Sequence, residues 1–281
     1  MLSYRHAFHA GNHADLFKHF VLTRLLSHLN QKDKPYWFID THAGAGCYQL
    51  DSGYAAKNAE FQGGIGRLWT REDLPPVLAG YVALVRALND DGELRFYPGS
   101  PVIALEMLRR TDRLRLFELH NSDFPLLEAN LAGAGRRAML FHEDGFAGLK
   151  GLLPPTASRA LTLIDPSYEQ KDDYTRVVSC LREALKRFAT GVYMVWRPIL
   201  DRDEARELPL QLEQLSAKSW LHVSLTVAHR RDEGPGMTGS GLFIINPPWT
   251  LHDELQSTLP FLRDALAVDD GAGYEITRDG E

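Results

Sequence analysis

The stretch Leu163-Ile164-Asp165-Pro166-Ser167-Tyr168 ends an apolar run in a carboxylate, a carbonyl held by proline's fixed backbone, and an aromatic face. Such a set suits a planar base with an exocyclic amine. The ring stacks on Tyr168, while Asp165 and the Pro166 carbonyl accept the two amine hydrogens. The amine of adenine is a poor nucleophile because its lone pair is delocalised into the ring. Acceptors aimed at its hydrogens favour the tetrahedral nitrogen that frees that pair. The same residues also read as a simple turn, since Asp-Pro commonly starts one.

Three further stretches could hold a ligand beside it. Thr41-His42-Ala43-Gly44-Ala45-Gly46 follows the apolar run 36–40, and Gly44 and Gly46 let backbone approach a ligand closely. A dinucleotide fingerprint needs a third small residue at position 49, where the chain has Gln49, so the motif is incomplete for a pyrophosphate. Glu118 ends the apolar run 114–119, where an acid accepts hydrogen bonds from ribose hydroxyls, normally about 20 residues after the glycines. Its separation from Gly46 is far larger and matches an insertion over 48–97. Asp144, in Glu143-Asp144-Gly145, could accept from an adenine amine or cap a helix starting at 145. Ser100, in Gly99-Ser100-Pro101, reads equally as a ligand contact or an N-cap before proline.

The elements that must position these residues follow from periodicity. Asn12 caps a helix over 12–29 whose apolar stripe is Leu16, Phe17, Phe20, Val21, Leu25 and Leu29. Strands are expected at 36–40, 114–119, 138–142, 160–165, 191–197, 221–229 and 242–246, and helices at 101–110, 123–132, 145–153, 173–188, 201–217 and 251–266. That alternation implies an α/β fold, a mostly parallel seven-stranded sheet covered on both faces. Only a Gly/Pro-rich loop joins the last two strands, so they form a terminal antiparallel hairpin. Residues 48–97 read as a small helical insertion (61–70 and 75–89) within a single domain spanning 1–281. The final dozen residues, rich in Asp and Gly, read as a loose tail.

Composition bounds the function. The chain has 281 residues, 44% hydrophobic and 24% charged, which is ordinary globular usage. No apolar run approaches the ~20 residues that cross a bilayer, and Ser3, Arg5, His6 and His9 interrupt any leader-like start, so a cytoplasmic location is expected. Two cysteines, Cys47 and Cys180, exclude a disulfide framework. His9 and His13 have helical zinc spacing, but Gly11 and Asn12 intervene and no His-Glu-x-x-His follows, so no metal is expected. The net charge of −6 argues against non-specific nucleic-acid binding, yet arginines cluster at 109–115, at 136–137 and at 230–231, and Lys186 adjoins Arg187. An NAD-dependent oxidoreductase competes, but it leaves Asp165-Pro-Ser-Tyr168 unexplained. A non-catalytic RNA-binding module leaves the glycine loop unexplained.

Asp165-Pro-Ser-Tyr168 resembles the Asp/Asn-Pro-Pro-aromatic motif of amino methyltransferases that use S-adenosylmethionine. With Tyr4-Arg-His-Ala-Phe-His-Ala-Gly-Asn-His-Ala-Asp15, Lys18-His19, Asp40-Thr-His-Ala-Gly-Ala-Gly46, Tyr97-Pro-Gly-Ser-Pro101 and Asn246-Pro-Pro-Trp249, the chain resembles the bacterial 23S ribosomal RNA adenine-N6 methyltransferase J family from residue 1 to about 265. The resemblance implies a Rossmann-like class I methyltransferase fold, S-adenosylmethionine as cofactor and 23S rRNA as partner; the sequence does not fix the oligomeric state, for which a monomer is the expectation. It implies cofactor contacts from His19, His42, Ser100, Glu118, Glu143, Asp144, Gly145 and Asp165, with Tyr4 as a mobile lid residue near the target base. The family has proline where this chain has Ser167. DNA adenine or protein glutamine are alternative acceptors for the motif. Asn246-Pro-Pro-Trp249 spells that motif better than Asp165 does. Its strand belongs to the antiparallel pair, however, so it is expected to be structural, with Trp249 packed under the last helix.

Overall fold

The computed structural model describes residues 5–51, 53–229 and 236–279. Tyr4, Arg230 and Arg231 lie outside them. In α1 (His13–Asn30) the Asn12 side chain accepts from the Ala14 and Asp15 N–H groups, and the expected stripe is buried. After β1 (Trp37–Asp40), the stretch to residue 98 holds β2 (Cys47–Gln49), α2 (Gly53–Asn58), α3 (Pro76–Arg86) and β3 (Phe96–Pro98). Helices and strands then alternate: α4 (Ser100–Met107), β4 (Arg113–Phe117), α5 (Phe124–Asn130), β5 (Ala138–Phe141), α6 (Gly145–Leu152), β6 (Ala160–Ile164), α7 (Asp172–Arg187), β7 (Val192–Ile199) and α8 (Asp203–Glu213). The chain closes with β8 (Trp220–Thr226), β9 (Gly239–Ile245), α9 (Leu251–Leu266) and β10 (Gly273–Arg278).

The main sheet runs β10-β8-β9-β7-β6-β1-β4-β5. From β5 to β7 neighbouring strands are parallel, and β9 enters antiparallel between β7 and β8. Both faces are covered, so the central strands are apolar on both sides. Along β1, Phe38 joins the core under α1, α4 and α9, while Ile39 joins the core under α6 and α7. Chain order runs outward from β1 to β4 and β5 on one side, and from β6 to β7 on the other. The carboxyl ends of β1 and β6 therefore flank the switch point, where open α/β sheets bind ligands.

Three expectations are corrected. The sheet has eight strands, not seven, because Gly273–Arg278 is no loose tail: it pairs antiparallel with β8, Tyr274 opposite Leu225 and Ile276 opposite Val223. Without β10, β8 would present an unpaired edge. The stretch 48–97 is not purely helical at its ends, since β2 and β3 pair there, Tyr48 opposite Tyr97. Trp249 does not pack under α9 and is 84% exposed.

Candidate active site

The carboxyl ends of β1, β4 and β6, the start of α6 and the buried face of α1 enclose one crevice of about 450 Å³. It gathers His19, His42, Gly44, Ser100, Glu118, Asp144, Gly145, Asp165 and Pro166 from segments far apart in sequence. Glu143 is exposed and outside this lining.

The glycine loop is fixed by its neighbours. Gly44 has φ +60°, and a Cβ there would lie 2.3 Å from the Tyr48 hydroxyl oxygen, so no other residue fits. Its N–H donates to Glu118 Oε2 at 2.7 Å, and the His120 N–H donates to Oε1 at 2.6 Å. Burial pushes the Glu118 carboxyl above its ordinary value, and these two N–H groups only partly offset it. Gly145 has another task. A Cβ there would sit 2.0 Å from the Thr41 carbonyl oxygen, so glycine lets the start of α6 touch the strand end. Asp144 caps α6, accepting from the Phe146 and Ala147 N–H groups, and pairs with Arg176. It both caps the helix and lines the crevice.

Ser100 is not an N-cap. Gly99 occupies that position, and the Ser100 hydroxyl donates to Asp40 Oδ2 at 2.6 Å. Burial raises the Asp40 carboxyl to about 7, partly offset by bonds from Ser100 and the His42 N–H. His42 is pushed down to about 3 by burial, and is therefore neutral. His19 is also neutral, held well below its ordinary value by burial. Its Nδ1 meets the Tyr97 hydroxyl at 2.8 Å, while its buried Nε2 has no hydrogen-bond partner among the described residues.

Asp165 leaves β6 into the crevice. Its Oδ2 accepts from Lys18 Nζ at 2.5 Å, and Lys18 also reaches Asp15 Oδ1 at 2.9 Å. Burial opposes the Lys18 charge, but the two carboxylates outweigh it and hold the ammonium above its ordinary range. Asp15 also takes His6 Nε2 at 2.9 Å. Burial alone would raise its carboxyl, yet His6 and Lys18 keep it well below the usual range.

Tyr168 departs from expectation. Its φ of +53° turns the chain after Ser167, and the ring is 2% exposed, packed 4.6 Å from the Tyr174 ring and 6.0 Å from the Trp196 ring. Its hydroxyl donates to the Trp196 carbonyl at 2.6 Å. Its face is not open to a base. The aromatic that lines the crevice here is Trp196, on β7.

The family model described as "Ribosomal RNA large subunit methyltransferase D, RlmJ" matches residues 33–277. A protein of Escherichia coli (strain K12), "Ribosomal RNA large subunit methyltransferase J", is 47% identical over 274 residues, covering 98% of this chain and 97% of that one. The chain belongs to the ribosomal RNA large subunit methyltransferase J family. The Haemophilus influenzae protein of the same name is 46% identical over 97% of this chain and 96% of its own length. A crystal structure of a Legionella pneumophila protein is similar with a TM-score of 0.90 at 36% identity, over 97% of this chain and 99% of that one. The fold is thus the Rossmann-like class I form of this methyltransferase family.

Reading the sequence missed Trp196 as a member of the site, and Asp40, Asp15 and Lys18 as its support. Asp40 was hidden as the last letter of an apolar strand, and its partner Ser100 lies 60 residues away. Trp196 sits inside β7 and reads as core. Lys18 and Asp15 carried a signal, because charged residues interrupt an otherwise apolar face of α1.

Proposed function

We propose that this chain methylates adenine N6 in 23S rRNA, with Asp165 and the Pro166 carbonyl receiving the target amine. Membership of the family makes it an S-adenosylmethionine-dependent methyltransferase of large-subunit ribosomal RNA. The observation that supports the choice of site is Asp165 at the carboxyl end of β6, in one crevice with Gly44 after β1, Glu118 after β4 and Ser100 at the start of α4.

The residues fit that cofactor. It is a nucleoside bearing a sulfonium cation, and the crevice offers carboxylates at Glu118, Asp144 and Asp165, backbone at Gly44, and the His19 Nε2, unpartnered among the described residues. Glu118 would hold the ribose hydroxyls and Asp144 the adenine amine of the cofactor, with His42 and Ser100 alongside. S-adenosylmethionine supplies the electrophilic methyl group, taken in an in-line displacement. Asp165 need not deprotonate a neutral amine, a task for which a carboxylate is too weak a base. It accepts an amine hydrogen as the nitrogen pyramidalises, then takes the proton once the nitrogen is cationic. Lys18 holds the Asp165 carboxylate ready for this. Trp196 offers the stacking face, and Tyr168 fixes the Trp196 backbone. Tyr4 is proposed as a lid over the target base. A base paired within a helix cannot enter such a crevice, so the target is unpaired or flipped out. The reading includes a cytoplasmic monomer working without a metal ion.

The test is transfer of tritiated methyl from S-adenosylmethionine to 23S rRNA from a methylation-deficient source, with the product nucleoside identified by mass. N6-methyladenosine is expected, absent with Asp165→Ala. Label on a different base, or on protein instead of RNA, would overturn the reading.

A further inference from the structure

The strands β6, β1, β4 and β5 are parallel neighbours, so the loops that feed them converge on the amino edge of the sheet, opposite the crevice. Those loops, 153–159, 31–36, 108–113 and 131–137, hold eight basic residues and two acidic ones, in a chain of net charge −6. Side-chain contacts join them into one surface. Arg109 and Arg159 lie over the Tyr36 ring, 5.7 and 5.8 Å from its centre, and both donate to the Lys34 carbonyl. Arg137 donates to the Leu108 carbonyl in the adjoining loop.

The charge on this band is left largely uncompensated. Asp112, one of the two acids, is fully buried and taken by Arg109 and the Tyr36 N–H. Arg113 and Arg159 donate to backbone carbonyls, which fix a guanidinium without neutralising it. Arg110 and Arg136 are exposed. Helix C-termini attract cations, which accounts for basic residues just past α1 and α4. It does not account for Arg113, inside β4, or Arg159, well beyond the end of α6. The opposite edge carries Glu118, Asp144 and Asp165 in the crevice lining, which suits a sulfonium cation and repels phosphate. Affinity for RNA comes mainly from cations meeting phosphates. Among the described residues that line the crevice, the Lys and Arg side chains are Lys18 and Arg176, both held by carboxylates, whereas the amino edge presents Arg110 and Arg136 exposed.

We propose that this amino-edge band is an RNA-docking surface, which takes the phosphate backbone of a ribosomal RNA segment other than the one delivering the target base. The inference rests on the rRNA substrate proposed above. The strands between the two edges have four or five residues, about 15 Å at roughly 3.3 Å per residue, before the loops at either end are added. Nucleotides at the crevice therefore do not themselves lie on the band, and only a longer RNA reaches both.

The experiment compares wild type with Arg110→Gln/Arg136→Gln on two probes: a full-length 23S transcript and a short stem-loop cut from it around the methylated adenine. Neither side chain makes a hydrogen bond or ion pair among the described residues, so the double variant is expected to keep its melting temperature. Arg263→Gln, on α9, controls for the loss of a positive charge elsewhere on the surface, one charge against the variant's two. On the transcript, the slope of log K against log salt should become shallower by about two, one per lost phosphate contact. KM should rise several-fold and kcat should hold. On the stem-loop, variant and wild type should coincide, as should the Arg263→Gln control on both probes. An unchanged slope on the transcript, or an equal loss on the stem-loop, overturns the proposal. So does a variant that binds naked transcript normally yet fails on an assembling subunit particle, which would mean a protein partner. Wild type that methylates neither RNA instead defeats the underlying reading of the substrate.

Discussion

Asp40 and Asp165 end neighbouring strands, yet their surroundings set them different tasks. Asp165 is held by an ammonium and faces the crevice. Asp165→Ala should cut kcat more than a hundredfold while leaving the melting temperature near wild type, because Lys18 keeps Asp15. Retention of over about a tenth of kcat, a loss below about 1.4 kcal/mol, would remove Asp165 from the chemistry. Burial dominates at Asp40, the Lys18 ammonium offsets it only in small part, and its carboxyl stands near 7 against an ordinary 3.8. The folded state therefore binds the extra proton between about pH 4 and 7, and this contribution makes stability fall as pH rises through that window. Asp40→Asn should flatten the fall, seen as a smaller change in melting temperature over those pH values; an unaltered profile would mean that Asp40 is ionised throughout. The two aromatics divide similarly. Trp196→Ala should lower kcat/KM by roughly ten- to a hundredfold, since base stacking is worth about 1–3 kcal/mol. Tyr168→Phe, which loses only the bond to the Trp196 carbonyl, should cost about 1 kcal/mol of stability. Trp196→Ala with an unchanged kcat/KM would take the Trp196 ring out of the stacking role.

Elements whose cause is local were legible. Asn12 and the stripe behind it define α1, and the apolar runs around Phe38, Leu116 and Leu163 define the central strands. What escaped depends on distant partners. Three-residue strands such as β2 carry no periodicity, and Tyr48 is a strand residue because Tyr97 lies opposite. β10 escaped because Asp269, Asp270 and Gly271 precede it and its outer residues are polar, as suits an edge strand. The site divides along the same line. Asp165, Glu118 and Gly44 stand at strand ends that the sequence marks, whereas the Asp40–Ser100 bond and the Trp196 ring exist only once β1, α4 and β7 are in place. If β10 is structural, truncation after Ala267 should lower the melting temperature by at least the ~2–4 °C that corresponds to 1 kcal/mol in a chain approaching this size. An unchanged melting curve would return 268–281 to the status of a tail.

At the scale of the molecule, strand direction decides between two motifs of the same spelling. Asn246-Pro-Pro-Trp249 follows β9, which runs antiparallel to β7 with Ile245 opposite Tyr193. Asn246 therefore emerges at the amino edge, beside the loop that enters β7, on the side away from Asp165. There its Nδ2 donates to the Ala189 carbonyl at 2.9 Å and the Gly191 carbonyl at 2.7 Å. Its φ of +53° is one that asparagine tolerates better than most residues. The asparagine is thus explained without chemistry: it ties off two carbonyls and takes a left-handed turn ahead of two prolines. Asn246→Ala should leave kcat within a few-fold of wild type but cost about 1–3 kcal/mol of stability, from two lost hydrogen bonds and a strained φ. Asn246→Gly relieves the φ but not the bonds, so its stability should fall between wild type and alanine. Measured beside Asp165→Ala, the pair separates the two motifs. One variant loses catalysis and keeps its fold; the other loses stability and keeps catalysis. A reversal, with Asn246→Ala inactive and Asp165→Ala active, would move the target amine to the other edge of the sheet and undo the assignment of the crevice.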